Sequence, residues 1–186
     1  MKIIIFLSSI FFAFFQAQAA LDQGIEIGGR QQSGAVGGAN FSANAMWGFQ
    51  GGGFLHLPIG GAQHMRTGIL YTQRPLESEN LITGEKIQYH LDYLDIPLEV
   101  LFKPSEVMGF HFGLITSINL SAHCTGDVEC RVVDVQALTF PFVGGFVFKP
   151  TPKLGFNAYI DGANFIVARG LGDYRAIGLN LMYSID

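Results

Sequence analysis

Charge is scarce in this sequence. Only 14% of its 186 residues are Asp, Glu, Lys or Arg, against about 25% in ordinary soluble domains. The 11 basic and 15 acidic side chains leave a formal net charge of −4, and no basic cluster offers a footprint for nucleic acid. Tryptophan occurs once and cysteine twice. No G-x-S-x-G element and no H-E-x-x-H helix appears. The Gly-rich pieces around Gly34–Gly38 and Gly51–Gly53 lack the helix that a phosphate loop requires, and no cofactor is expected. Long apolar runs are missing too. The longest, Ile3 to Phe15, falls short of the roughly 20 residues a membrane helix needs.

That run has the build of an export leader. Lys2 precedes it, and Ala17-Gln18-Ala19 supplies a small-x-small cleavage pattern. Residues 1–19 are therefore expected to be a cleaved leader, with residues 20–186 forming one domain. Export permits a disulfide, and Cys124 and Cys130 bracket only Thr-Gly-Asp-Val-Glu. A tight loop staple is the economical reading. A metal pair assisted by His123 and Asp127, or free thiols, are the other readings.

What the chain has in quantity is glycine (24) and phenylalanine (17), arranged in period-two alternation. From Ile177 to Ile185 one face reads Ile, Leu, Leu, Tyr, Ile and the other Gly, Asn, Met, Ser. Phe110, Phe112, Leu114, Ile118 and Leu120 form a second apolar row. Such runs predict strands near 24–32, 46–57, 63–74, 85–102, 109–123, 133–148, 154–167 and 175–185. Tight turns at 58–61, 103–108 and 149–153 alternate with longer loops at 33–45, 75–84, 124–132 and 168–174. The polar rows hold mostly Gly, Ala, Ser and Asn, which suits a narrow interior rather than a wet surface. The apolar rows can face lipid, and a sheet in lipid must close on itself. The expected fold is all-β: an eight-stranded antiparallel up-and-down transmembrane β-barrel. A soluble lipocalin-like barrel is the competing architecture. Trp47, Phe49, Tyr71, Tyr89, Tyr93, Phe102, Phe148 and Tyr183 are candidates for interfacial aromatic girdles.

The stretch Tyr93-Leu94-Asp95-Ile96-Pro97-Leu98-Glu99-Val100-Leu101-Phe102-Lys103 resembles a segment of the small outer-membrane β-barrel family that includes PorT-like and OmpX-like proteins. The resemblance implies an outer-membrane barrel but no uniform activity. The alternation of tight turns with longer loops places the loops outside, and an even strand count returns both termini to the periplasmic side. Gly178, Leu181 and Tyr183 match the Gly-x-x-hydrophobic-x-aromatic spacing of a C-terminal assembly signal, although the chain ends Ser184-Ile185-Asp186 rather than on an aromatic. Expected partners are membrane lipid, lipopolysaccharide and the insertion machinery, with the barrel a monomer.

Pro97 removes a ladder donor, so a bulge is expected across Leu94, Asp95, Ile96 and Pro97. That phase sends Tyr89, Leu91 and Tyr93 to lipid, and His90, Asp92, Asp95 and Glu99 inward. With Glu26, Arg30, Arg66 and Arg74 they form an expected lumen charge network, Arg66 reaching Asp95 or Glu99. Burying such charges requires partners, and an eight-stranded interior is only wide enough for side chains. A plugged structural or surface-interaction barrel is the leading expectation. A narrow gated pore is the second. The third is a lipid A-modifying enzyme built on Ser121, His123 and Asp127. His56, His64, His90 and His111 lie on different strands without ligand spacing.

Overall fold

The computed structural model describes residues 21–185, so the expected leader and Asp186 lie outside the described residues. Ten antiparallel strands follow in order. They are β1 (Asp22–Val36), β2 (Phe41–Gly60), β3 (Gln63–Gln73), β4 (Leu76–Asn80) and β5 (Lys86–Phe102). Then come β6 (Met108–Gly126), β7 (Leu138–Thr139), β8 (Phe142–Phe148), β9 (Leu154–Ala168) and β10 (Leu171–Ser184).

Two prolines explain why ten strands fill only eight places. β3 and β4 both lie between β2 and β5 and are separated at Arg74-Pro75. β7 and β8 both pair with β6 and are separated at Phe140-Pro141. Proline offers no N–H to a ladder, so each is a break in one strand position. β1 pairs with β2 on one side and β10 on the other. The ring closes, and every strand position has two neighbours.

Alternation decides what faces where. On β10, Ile177, Leu179, Leu181 and Tyr183 point out, while Gly178, Asn180 and Met182 are buried. Ile25, Ile27, Phe49, Ile69, Leu98, Phe112, Leu114, Phe142 and Ile160 complete a continuous exposed apolar belt. An apolar surface this extensive is far larger than a soluble monomer tolerates, and lipid is the solvent that suits it. Trp47, Phe49, Phe102, Phe148 and Tyr183 stand on this outer face.

Four expectations need correction. First, β5 has no bulge at Leu94, Asp95, Ile96 and Pro97. Its alternation runs unbroken, with Leu91, Tyr93, Asp95, Pro97, Glu99 and Leu101 all buried. The Pro97 gap falls on the β3 side, where the ladder stops at Thr67↔Leu98 and resumes at Leu70↔Asp95 in the same register. The extra residue is Leu120 on β6, because Asp92 pairs with Ser121 and Tyr93 with Asn119. Second, Tyr93 and Leu91 consequently point inward, and Asp92 points out. Third, the segment 133–137 is not strand. Val132 and Val135 turn in to pack on the buried loop-end cluster, and Asp134 adopts a left-handed φ of 54°. Fourth, two expected long loops are short: β9 and β10 are joined by Arg169 and Gly170 alone, with Gly170 at φ 75°, and the loop expected over 33–45 shrinks to residues 37–40 between β1 and β2.

Candidate functional site: the filled lumen

Inward side chains stack in layers from the tight-turn end to the loop end. At the turn-end rim, Asp22 accepts bonds from Lys149 Nζ (2.8 Å), Lys103 Nζ (3.2 Å) and Ser184 Oγ (2.8 Å), and faces His56 Nδ1 at 2.9 Å. Above it, Phe54, Leu101, Val147 and Met182 form a buried apolar layer.

Three arginines occupy the middle of the lumen. Arg66 donates from Nη2 to Glu26 Oε1 at 2.6 Å and from Nη1 to Glu99 Oε1 at 2.7 Å. The second Glu26 oxygen takes Asn180 Nδ2 (3.3 Å) and Asn157 Nδ2 (3.4 Å). His111 sits between Glu99 and Asn157, its Nδ1 against the free Glu99 oxygen and its Nε2 2.9 Å from Asn157 Oδ1. Arg30 donates to Asp161 Oδ1 (3.0 Å) and Gln32 Oε1 (2.8 Å), and Tyr159 donates to Gln50 nearby. Arg74 donates to both Asp95 oxygens (3.1 and 2.9 Å) and to Ser117 Oγ (2.8 Å). The Tyr93 ring lies 4.4 Å from its guanidinium carbon. All of these charges are buried, so each guanidinium has a carboxylate to offset its desolvation. A final apolar layer closes the loop end: Leu76, Leu91, Tyr93, Val167, Ala168, Leu171 and Tyr174.

The expected network is therefore divided. Glu26, Arg66 and Glu99 meet. Asp95 belongs to Arg74, and Arg30 to Asp161. Asp92 is outside the lumen, where its Oδ2 accepts from the exposed Ser121 hydroxyl at 2.7 Å. Asp161, His111, Asn157 and Ser117 complete the layers without having been assigned to the network from sequence. Their signal was parity: each falls on the inward phase of its strand.

Gly178 has a structural reason that spacing alone did not reveal. A Cβ there would stand 2.2 Å from Tyr159 Cζ, so the glycine makes room for that ring. Leu181 and Tyr183 face outward. Cys124, at the loop end of β6, and Cys130, just after that strand, form a disulfide. Ser121, His123 and Asp127 do not meet. Ser121 is on Asp92, the His123 ring stacks on His90 at 5.1 Å, and Asp127 accepts the Lys86 backbone N–H at 2.9 Å. Among the described residues, no group of three or more His, Cys, Asp and Glu side chains is placed to hold a metal.

No protein-family model matches the chain, and no curated protein matches it. Solved structures do. The attachment invasion locus protein Ail of Yersinia pestis, in complex with the heparin analogue sucrose octasulfate, superposes with a TM-score of 0.53. It is 12% identical, over 89% of this chain and 99% of that one. The fold is that of the small outer-membrane β-barrels. Neisserial surface protein A gives a TM-score of 0.51 at 11% identity, over 89% of this barrel and 99% of its own chain. At such identities the likeness concerns the backbone. The layers of this barrel's lumen have to be read from its own residues.

Proposed function

We propose that the chain is an integral outer-membrane protein whose closed barrel is a rigid platform for its loop end, with a structural or surface-interaction role rather than a transport role. One observation carries the reading. Two buried apolar layers, around Met182 and around Tyr174, bracket an ionic middle in which each arginine is joined to a carboxylate. Conduction needs a continuous wet path, and here a solvated ion would have to displace both layers and separate Arg66 from two carboxylates.

In this reading the loops face outward and both termini are periplasmic, following export through the cleaved leader. The loop end is mainly acidic, with Glu77, Glu79, Glu85, Asp127, Glu129, Asp134 and Asp173 against Lys86, Arg131, Arg169 and Arg175. A polyanion of the kind bound by Ail is therefore disfavoured by like charge. The surface suits a neutral or cationic partner.

Fractionation followed by gel mobility tests the reading. The protein is expected in the outer-membrane fraction, migrating differently before and after boiling in SDS. Added protease is expected to cut within 124–137 on intact cells. Recovery as a soluble periplasmic protein with no mobility shift would overturn it and make a lipocalin-like carrier the better account.

A further inference from the structure

A depression of about 650 Å3 interrupts the apolar belt, crossing the outside of β8, β9, β10, β1 and β2 near their loop ends. Phe142, Ile160 and Ile177 wall it, and all three point outward. Its floor is bare backbone at Gly144 and Gly162. A Cβ at Gly144 would meet only the His111 carbonyl oxygen, at 3.8 Å, and one at Gly162 would meet Arg175 Cγ at 3.5 Å. These glycines thus leave open space rather than permit a tight backbone approach.

Arg175 is the polar end of this groove. It lies over Gly162 and is exposed, one position loopward of the outward row Ile177, Leu179, Leu181 and Tyr183. Arg30, Arg66, Arg74 and Arg169 each hold a carboxylate. The Arg175 side chain holds none among the described residues; only its carbonyl is used, by Gln32 and Ser33. Asp161 borders the groove but is taken by Arg30 inside the wall. Gln31 and Ser33, both exposed, line the same depression, and the Ser33 hydroxyl donates to the Arg175 carbonyl, leaving its lone pairs available. A charged fork, an amide and a hydroxyl at the edge of an apolar trough complement a phosphorylated sugar carrying acyl chains.

We propose that this groove binds a phosphate-bearing glycolipid of the lipid A class from the loop-side leaflet. Arg175 takes the phosphate, Gln31 and Ser33 contact the sugar, and an acyl chain lies over Gly144 between Phe142 and Ile160. The inference rests on the reading that the loop end faces outward in the outer membrane.

Native mass spectrometry of the folded full-length barrel, titrated with lipid A and separately with phosphatidylglycerol, tests it. Arg175→Gln is expected to weaken lipid A binding about tenfold, the worth of one charge-assisted contact. Gly144→Leu fills the trough and is expected to weaken it as well. Arg131→Gln removes a loop-end charge away from the groove and is expected to leave binding unchanged. Equal affinity across wild type, Arg175→Gln and Gly144→Leu overturns the proposal, and so does equal affinity of the wild type for phosphatidylglycerol. Gel mobility of the same samples separates the two failures. A protein that shifts on boiling but binds no lipid A sinks the groove alone, whereas one that never shifts sinks the barrel reading with it.

Discussion

Arg66→Met would leave Glu26 and Glu99 facing each other in a water-excluded layer. The two carboxylates are 1% and 3% exposed, and the guanidinium that joins them is 2.6 and 2.7 Å away. Removing one partner of a buried pair costs about 3–5 kcal/mol, because the other charge is left uncompensated. Here two charges are stranded, so that range is a lower bound. A typical domain has about 5–15 kcal/mol of stability in all, which makes the single variant marginal. The triple variant Arg66→Met, Glu26→Gln, Glu99→Gln removes every charge of the triad and is expected to recover most of the loss, since neutral replacement of a buried ion cluster is close to energetically neutral. Equilibrium urea unfolding in phospholipid vesicles measures both. Trp47, the one tryptophan, stands 72% exposed on the outer face and reports insertion by fluorescence. A single variant within about 0.5 kcal/mol of wild type, the scale of an ordinary surface substitution, would refute the claim that the triad is desolvated and paired. So would a triple variant no more stable than the single one.

Other consequences concern the loop end. Gly170→Val is expected to lose roughly 1–2 kcal/mol in the same urea assay, because φ 75° is costly for a β-branched residue; an unchanged midpoint would contradict the two-residue turn. Cys124→Ala with Cys130→Ala opens a short loop and is expected to cost about 2 kcal/mol at most while the boiled-gel shift persists; loss of the shift would show that the staple is needed to form the barrel. Glu77 on β4 is held below the usual glutamate range by Asn44 first, then by Gln88 and Lys86. A carboxyl with a depressed folded value contributes stability above its unfolded value and loses it as pH falls. Protection of the β4 amides, taken relative to their intrinsic exchange rates at each pH, should therefore fall below about pH 4.3. Protection that does not change with pH there would exclude Glu77 as the anchor.

The outer face was legible because alternation of large apolar with small or polar residues is a one-dimensional pattern, and 177–185 reads the same in the sequence and in the barrel. The inner face was less legible, and β5 shows why. Tyr93 resembles a lipid-facing aromatic, yet it packs on Arg74 inside, so assigning it outward demanded a bulge that β5 does not have. The true bulge, at Leu120, is invisible along β6 itself, where Asn119-Leu120-Ser121 alternates normally; it exists only relative to β5. The same limit applies to the charges. Parity placed Glu26, Arg66 and Glu99 on one interior, but the shear of the ring decides which arginine meets which acid. Arg30 found Asp161 across 131 residues, a pairing no spacing announces. Pro75 stands at the start of an expected loop and does break the strand position, whereas Pro141 falls inside the single strand expected over 133–148, where its missing N–H splits β7 from β8.

The central claim is that the lumen is closed. Wild-type protein whose insertion has been verified by its boiled-gel shift should give no discrete current steps in a planar lipid bilayer under applied voltage. Reproducible single-channel steps from that same preparation would mean that the layers around Met182 and Tyr174 part to admit water, and the platform reading would yield to a gated pore.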